Sequence, residues 1–162
     1  MSFDRRVTPA RPDLAAEWLR GRVDAPRYAI GHQRRIVAAS APLRRAPAAS
    51  ASLETEALHG ESVVVYEEAG EWAWAQRARD GYVGYLPAAA LGDPAEPTHR
   101  IAALRTHAYP GASIKSPPRL ALSLGALARI EAIEGDFAVS HDRLRHYARH
   151  LAPVGEFEAD FV

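Results

Sequence analysis

Apolar and polar positions change their period along this chain. In RPDLAAEWLRG, residues 11–21, Leu14, Trp18 and Leu19 fall at i, i+4 and i+5, the one-sided spacing of an amphipathic helix. Pro12 suits a first helical turn, Asp13 complements the dipole there, and Gly21 can end the segment. These signals predict a short helical arm within residues 1–34. From Arg35 onward the pattern is that of strands. ESVVVYEEAGEWAWAQ, residues 61–76, reads as two short strands around an acidic-Gly turn, and GYVGYLP, residues 81–87, as a third closed by a proline. GDPAEPT, residues 92–98, is a polar linker with two prolines and nothing to bury. Strand-like runs return at HRIAAL, ALARIEAI and DFAVS.

An offset of 65 residues superposes the two halves. It sets Arg35-Ile36 on Arg100-Ile101, Gly60 on Gly125, Val65 on Ile130, Gly70 on Gly135 and Trp72 on Phe137. EEAGEWAWA and AIEGDFAVS keep one order of acid, glycine, acid and aromatic, and YLPAAAL finds its shorter counterpart in YARHL. Two copies of one small β unit are the economical reading. The expected organisation is an arm over 1–34, a first unit over 35–91, a linker over 92–98 and a second unit over 99–153.

Composition narrows the function classes. With 20 basic and 20 acidic side chains the net charge is zero, unlike the basic face that phosphate binding calls for. The chain has no cysteine, so it carries no disulfide, thiolate zinc site or cysteine nucleophile. No apolar run is long enough to span a bilayer, and the N-terminus lacks the apolar core of a secretory signal. The expectation is a cytoplasmic protein with no nucleic-acid or membrane partner and no cofactor.

The turn LHGE at Leu58 to Glu61, the GEW hairpin at Gly70 to Trp72 and DGYVGYLPAAAL, residues 80–91, together resemble the bacterial SH3-like barrel of NlpC-type cysteine peptidases. TPARPDLAAEWLRG resembles the arm before the first barrel of such proteins, and YARHLAP the exit of the second. The likeness is closest to the dipeptidyl-peptidase VI branch, the γ-D-glutamyl-L-diamino-acid endopeptidases. It implies a mostly β fold of two tandem small SH3-like barrels behind a short helical arm. It further implies that residues 154–162, where Phe157 and Phe161 lie at i, i+4, begin a papain-like catalytic domain that this chain does not include. The function so implied is substrate gating and targeting for a cell-wall stem-peptide endopeptidase of muropeptide recycling. The alternative is a free-standing tandem module that grips cell-wall peptide or a protein partner.

In the resembled family a Tyr and an acid of the first barrel bind the free α-amine of the substrate's terminal L-Ala. The matching positions are Tyr82, in DGYVGY, and Glu54, in SLETEAL; by residue type alone Glu54 is an exposed acid. Trp72 and Trp74 share one face of a strand and form the core side or a wall beside it, with Val63, Val65 and Val83 filling the same core. His146 and His150 are spaced for a metal only on a helix; on a strand they stand roughly 13 Å apart, and no metal is expected. Ser140-His141-Asp142 are neighbours in sequence, which is no sign of a triad, since a triad is assembled by geometry. YPGASIKSPPRL, residues 109–120, reads as a spacer loop.

Overall fold

A computed structural model describes residues 2–156; the helix start expected at Phe157 and Phe161 lies outside them. The chain folds as two units, Met1–Ala57 with Glu61–Pro94 and Leu58–Gly60 with Ala95–Val162. Both are built from β-strands, and among the described residues the only helical segments are three-residue 3-10 turns.

The first unit opens with a small sheet of β1 (Ala10–Arg11), β2 (Leu14–Ala16) and β3 (Arg27–Ala29). β1 and β2 are antiparallel around Pro12-Asp13, and β3 runs parallel to β2. The predicted helical arm is therefore corrected to a hairpin followed by one 3-10 turn, Glu17–Leu19. The reason is visible in the side chains. Leu14, Ala15 and Ala16 are all buried, whereas an amphipathic helix would turn one of three successive residues outward. Trp18, which the helical spacing would bury, is 56% exposed. Arg11 and Asp13 form an ion pair at 2.9 Å, and residues two apart do not face each other on a helix.

The main sheet of this unit holds β4 (His32–Ile36), β5 (Ser40–Arg44), β6 (Leu53–Leu58), β7 (Ser62–Ala69), β8 (Trp72–Arg77), β9 (Val83–Pro87) and β10 (Leu91–Gly92). Its order is β10-β4-β7-β8-β9-β5-β6. β7 and β8 turn through Gly70-Glu71, with Gly70 at φ 61°, the left-handed value that a type II′ hairpin places on glycine. The alternation of β8 splits the apolar residues into two layers. Ala73 and Ala75 face inward onto Ile36, Leu43, Val63, Val65 and Leu86. Trp74 faces the other way and packs with Val83 and Tyr66 under Leu14, Ala15 and Leu19 of the arm. The expectation of a single core shared by Val63, Val65 and Val83 is thus corrected, because Val83 belongs to the outer layer with the tryptophan.

The second unit repeats this plan. Its strands are β11 (His99–Ile101), β12 (Arg105–Tyr109), β13 (Leu120–Ser123), β14 (Leu127–Ala128), β15 (Ile130–Glu134), β16 (Phe137–Ser140), β17 (Arg145–Tyr147) and β18 (Leu151–Pro153). They form the sheets β14-β11-β18 and β13-β12-β17-β16-β15. Taken together, β14 and β15 stand where β7 stands in the first unit, and every neighbour relation of the first sheet recurs. The offset of 65 holds in fine detail. Gly135 has φ 62°, Glu134 pairs with Phe137 as Ala69 pairs with Trp72, and the bulge between Val65 and Glu67 recurs between Ile130 and Ala132. The core of the second unit is smaller, with Ile101, Ala108, Leu122 and Ala126 buried.

His146, on β17, has no solvent exposure, and neither ring nitrogen has a hydrogen-bond partner. Burial, and after it the nearby His59 of the same unit, pushes its pKa down to about 4, with Asp142 opposing. The folded state therefore binds fewer protons than the unfolded chain between pH 6.5 and 4, so the second unit loses stability as pH falls through that window. The expected loss by pH 4.5 is about 2–3 kcal/mol. Thermal unfolding of His146→Leu compared with the parent chain at pH 7.5 and 4.5 checks this. The substitution should flatten the pH dependence, and an unchanged slope would show that His146 is not its source.

Candidate functional site

Tyr82, in the turn between β8 and β9, and Glu54, on β6, both act on Arg6 of the first unit through their fields. Glu54 lies on β6 rather than in a loop, and its side chain is only 12% exposed because it accepts a 2.6 Å hydrogen bond from Arg45 Nε. Tyr82 is half-buried against the inner core layer and ends the turn between β8 and β9. Gly81 supplies the positive φ of that turn, 78°, which few other residues tolerate. Arg6 links the two positions. Its guanidinium pKa is raised first by hydrogen bonding to Asp4, then by the fields of Asp4, Tyr82 and Glu54. The Arg6 carbonyl also accepts the Val83 N–H at 2.7 Å, which lays residues 4–8 along the start of β9. A cation thus already sits in the field of the phenol and the carboxylate.

Beneath this region lies a buried ion pair that the sequence reading did not anticipate. Arg77 donates from Nη2 to both oxygens of Glu61, at 3.1 and 3.0 Å, and both side chains are about 95% buried (6% and 5% exposed). From Nη1 it donates to Thr55, next to Glu54, at 2.9 Å, and to Asp80 at 3.0 Å. Its backbone closes the turn as well. The Arg77 N–H donates to the Tyr82 carbonyl at 2.8 Å, and the Tyr82 N–H donates to Asp80 at 3.1 Å. One arginine therefore fixes both β6 beside Glu54 and the turn that carries Tyr82. The glutamate of LHGE is taken up by this brace; Glu61 is buried and structural here.

A second feature crosses the outer face of the sheet. Register aligns Glu67, Trp74, Tyr85 and Arg44 in one row over β7, β8, β9 and β5. Arg11 of β1 lies over this row. Its guanidinium stands 4.7 Å from the Trp74 ring centroid, donates to Tyr85 Oη at 3.2 Å, and pairs closely with Glu67 and with Asp13. Arg27 bridges the same two carboxylates at 2.8 and 3.1 Å. Burial works against the charge on Arg11, yet hydrogen bonds to Asp13 and Glu67 outweigh it and raise its pKa. The same contacts, with Arg11 first and Arg27 second, hold Asp13 down to about 2. Two cavities, of about 840 and 320 Å³, flank Arg11 and share Trp74 and Tyr85 in their walls. The aromatic residues of β8 and β9 divide: Trp74 is buried under the arm, Trp72 borders the smaller cavity, and Tyr85 lines both.

The remaining polar clusters are accounted for by local structure. Ser140, 2% exposed, donates to Asp142 at 2.6 Å, while the His141 ring contacts Glu131, so these three neighbours close a turn and form no relay. His150 is hydrogen-bonded to Thr106 at 2.8 Å. Among the described residues no group of three or more His, Cys, Asp or Glu is placed to hold a metal ion. No described helix is long and apolar enough to cross a membrane.

Comparison with known proteins agrees with this architecture. Residues 43–91, from within β5 to the start of β10, match the profile of the bacterial dipeptidyl-peptidase SH3 domain. Among solved structures the chain is similar to an NlpC/P60 family protein from Bacillus cereus ATCC 10987, with a TM-score of 0.60 at 17% identity. That likeness, which is one of fold, covers 75% of this chain and 56% of the other, so the chain spans little more than half of its structural relative. None of the curated proteins matches significantly. Both findings are consistent with the SH3-like region of an NlpC-type peptidase.

Proposed function

We propose that the two units are tandem SH3-like barrels forming the non-catalytic, substrate-gating region of a peptidoglycan stem-peptide endopeptidase of the dipeptidyl-peptidase VI type. The observation that carries this reading is the pairing of a bacterial dipeptidyl-peptidase SH3 match over residues 43–91 with a cation-bearing site around Tyr82 and Glu54 in that same segment. A carboxylate beside a phenol suits a peptide's terminal ammonium, since charge-assisted hydrogen bonds are the strong ones. Within the first unit, Arg45 occupies the place of that ammonium on Glu54 until a peptide competes for it. The partner is a free stem peptide of the L-Ala-γ-D-Glu-diaminopimelate class, and the setting is cytoplasmic recycling of muropeptides. Peptide cleavage then depends on a thiolate supplied by a catalytic domain, because this chain contains no cysteine.

The expected result for the purified 162-residue chain is no hydrolysis of L-Ala-γ-D-Glu-meso-diaminopimelate, followed by chromatographic detection of free diaminopimelate. Turnover that survives repurification would overturn the reading of these units as a gate without its own chemistry. A coding region that continues into a domain with a Cys-His pair would support it, against the alternative of a free-standing tandem module.

A further inference from the structure

The larger cavity of the first unit is unbalanced in charge. Arg5, Arg11 and Arg45 line it, and no carboxylate does. The acids that neutralise Arg11, namely Asp13 and Glu67, line the smaller cavity on its other side. Glu54, which pairs with Arg45, lies outside the lining. Arg5 makes no hydrogen bond or ion pair among the described residues and is exposed. Tyr85 Oη accepts from Arg11 and has no acceptor for its own proton among the described residues. Phe3, Val83 and Trp74 give the walls their apolar part, with Ser2 and Thr8 as neutral polar residues. At about 840 Å³ the space falls within the roughly 300–1,000 Å³ typical of small-ligand clefts, which combine apolar walls with a few convergent polar groups.

We propose that this groove is a carboxylate subsite, in which Arg5, Arg45 and the Tyr85 hydroxyl bind the free α-carboxylate of a short acidic peptide. Arg11 and Arg45 are each paired with acids outside the lining, so the cation left uncompensated at the groove is Arg5, and its field favours an anion. A guanidinium fork matches a carboxylate in geometry as well as charge, and the Tyr85 O–H supplies the neutral donor that orients it. Arg45 joins the two ends of the recognition. It holds Glu54, the acid assigned to the peptide ammonium, while facing the groove that receives the carboxylate. The choice of peptide rests on the gating reading above, and the charge of the ligand rests on the groove alone. For a γ-D-Glu peptide, the α-carboxylate left free by the γ linkage is the group that would be read.

Isothermal titration of the intact chain with L-Ala-γ-D-Glu-meso-diaminopimelate tests this, beside the same peptide amidated at the D-Glu α-carboxylate and the same peptide N-acetylated. Amidation is expected to weaken binding about tenfold, as for the loss of a charged hydrogen-bonded pair. Arg5→Ala and Tyr85→Phe should each weaken binding of the free acid and leave binding of the amidated peptide unchanged, with Arg5→Lys recovering part of the loss. Arg5 is exposed, so its substitution should not alter the melting temperature. Equal affinity for free and amidated peptides overturns the subsite, as does no binding of either, or acetate binding as tightly as the peptide. Sensitivity to acetylation without sensitivity to amidation would remove the subsite and leave the gate standing. The reverse result would remove the gate and leave the subsite.

Discussion

Arg77→Ala is expected to lower the unfolding free energy of the first unit by about 3–5 kcal/mol, the usual cost of leaving one member of a buried ion pair alone. Glu61 would lose its most buried partner while Arg79 reaches it at 3.2 Å from a side chain that is 64% exposed, and Thr55 and Asp80 would each lose a donor. Replacing the pair as a whole should cost less than replacing Arg77 alone, because burying two charges carries its own desolvation penalty. Arg77→Met with Glu61→Leu is the informative double variant. Denaturant unfolding followed by tryptophan fluorescence measures all three proteins. A loss below about 1 kcal/mol for Arg77→Ala would mean that water reaches the pair and that it is no brace. The consequence for the site is direct, since the same guanidinium fixes the turn bearing Tyr82 and the strand bearing Glu54. Arg77→Ala should therefore also broaden the backbone resonances of residues 80–82 before the unit unfolds.

The parts of this fold that local chemistry dictates were legible in the sequence. Gly70 and Gly135 mark two-residue turns because each takes a positive φ, and alternation in EWAWAQ separated the tryptophans from the alanines without showing that the alanine face holds the core of Val63 and Val65. The repeat was legible because turn glycines and bulge positions recur at one offset, and these are backbone requirements rather than choices of side chain. The arm was misread for a physical reason. Pro followed by Asp serves a first helical turn and a hairpin turn equally well, and Leu14, Trp18 and Leu19 fell at helical spacing although Trp18 points to solvent. What separates the two outcomes is tertiary: Arg11 reaches Glu67 and Tyr85, 56 and 74 residues away. The same distance hid the two cavities beside Arg11, since only strand register places Glu67, Trp74 and Tyr85 in one row. Arg77 offered no signal of its own, as an arginine ending a strand is ordinarily a solvated one. Tyr82 and Glu54 were named through resemblance alone; no local pattern links two residues 28 positions apart.

Substitution at Tyr82 and Glu54 carries the largest expected effect on recognition. Glu54 is partly enclosed, at 12% exposure, and already accepts a hydrogen bond from Arg45, so exchanging Arg45 for a peptide ammonium replaces one charge-assisted contact by another in a sheltered place. The expected discrimination between a free and a blocked amine is about 2 kcal/mol, roughly thirtyfold in affinity. Glu54→Gln should remove most of it by neutralising the carboxylate, and Tyr82→Phe a smaller part by removing one hydroxyl. In a peptidase that carries this chain the same pattern should appear in kcat/KM, with the acetylated substrate little affected by either substitution because it is already poorly held.

The decisive measurement is the ratio of dissociation constants for N-acetylated and free L-Ala-γ-D-Glu-meso-diaminopimelate, taken on the parent chain and on Tyr82→Phe/Glu54→Gln by titration calorimetry. The gating account predicts a ratio of about thirty for the parent chain and close to one for the double variant, at unchanged melting temperature. A ratio near one in the parent chain, or an equal ratio in both proteins, would contradict it.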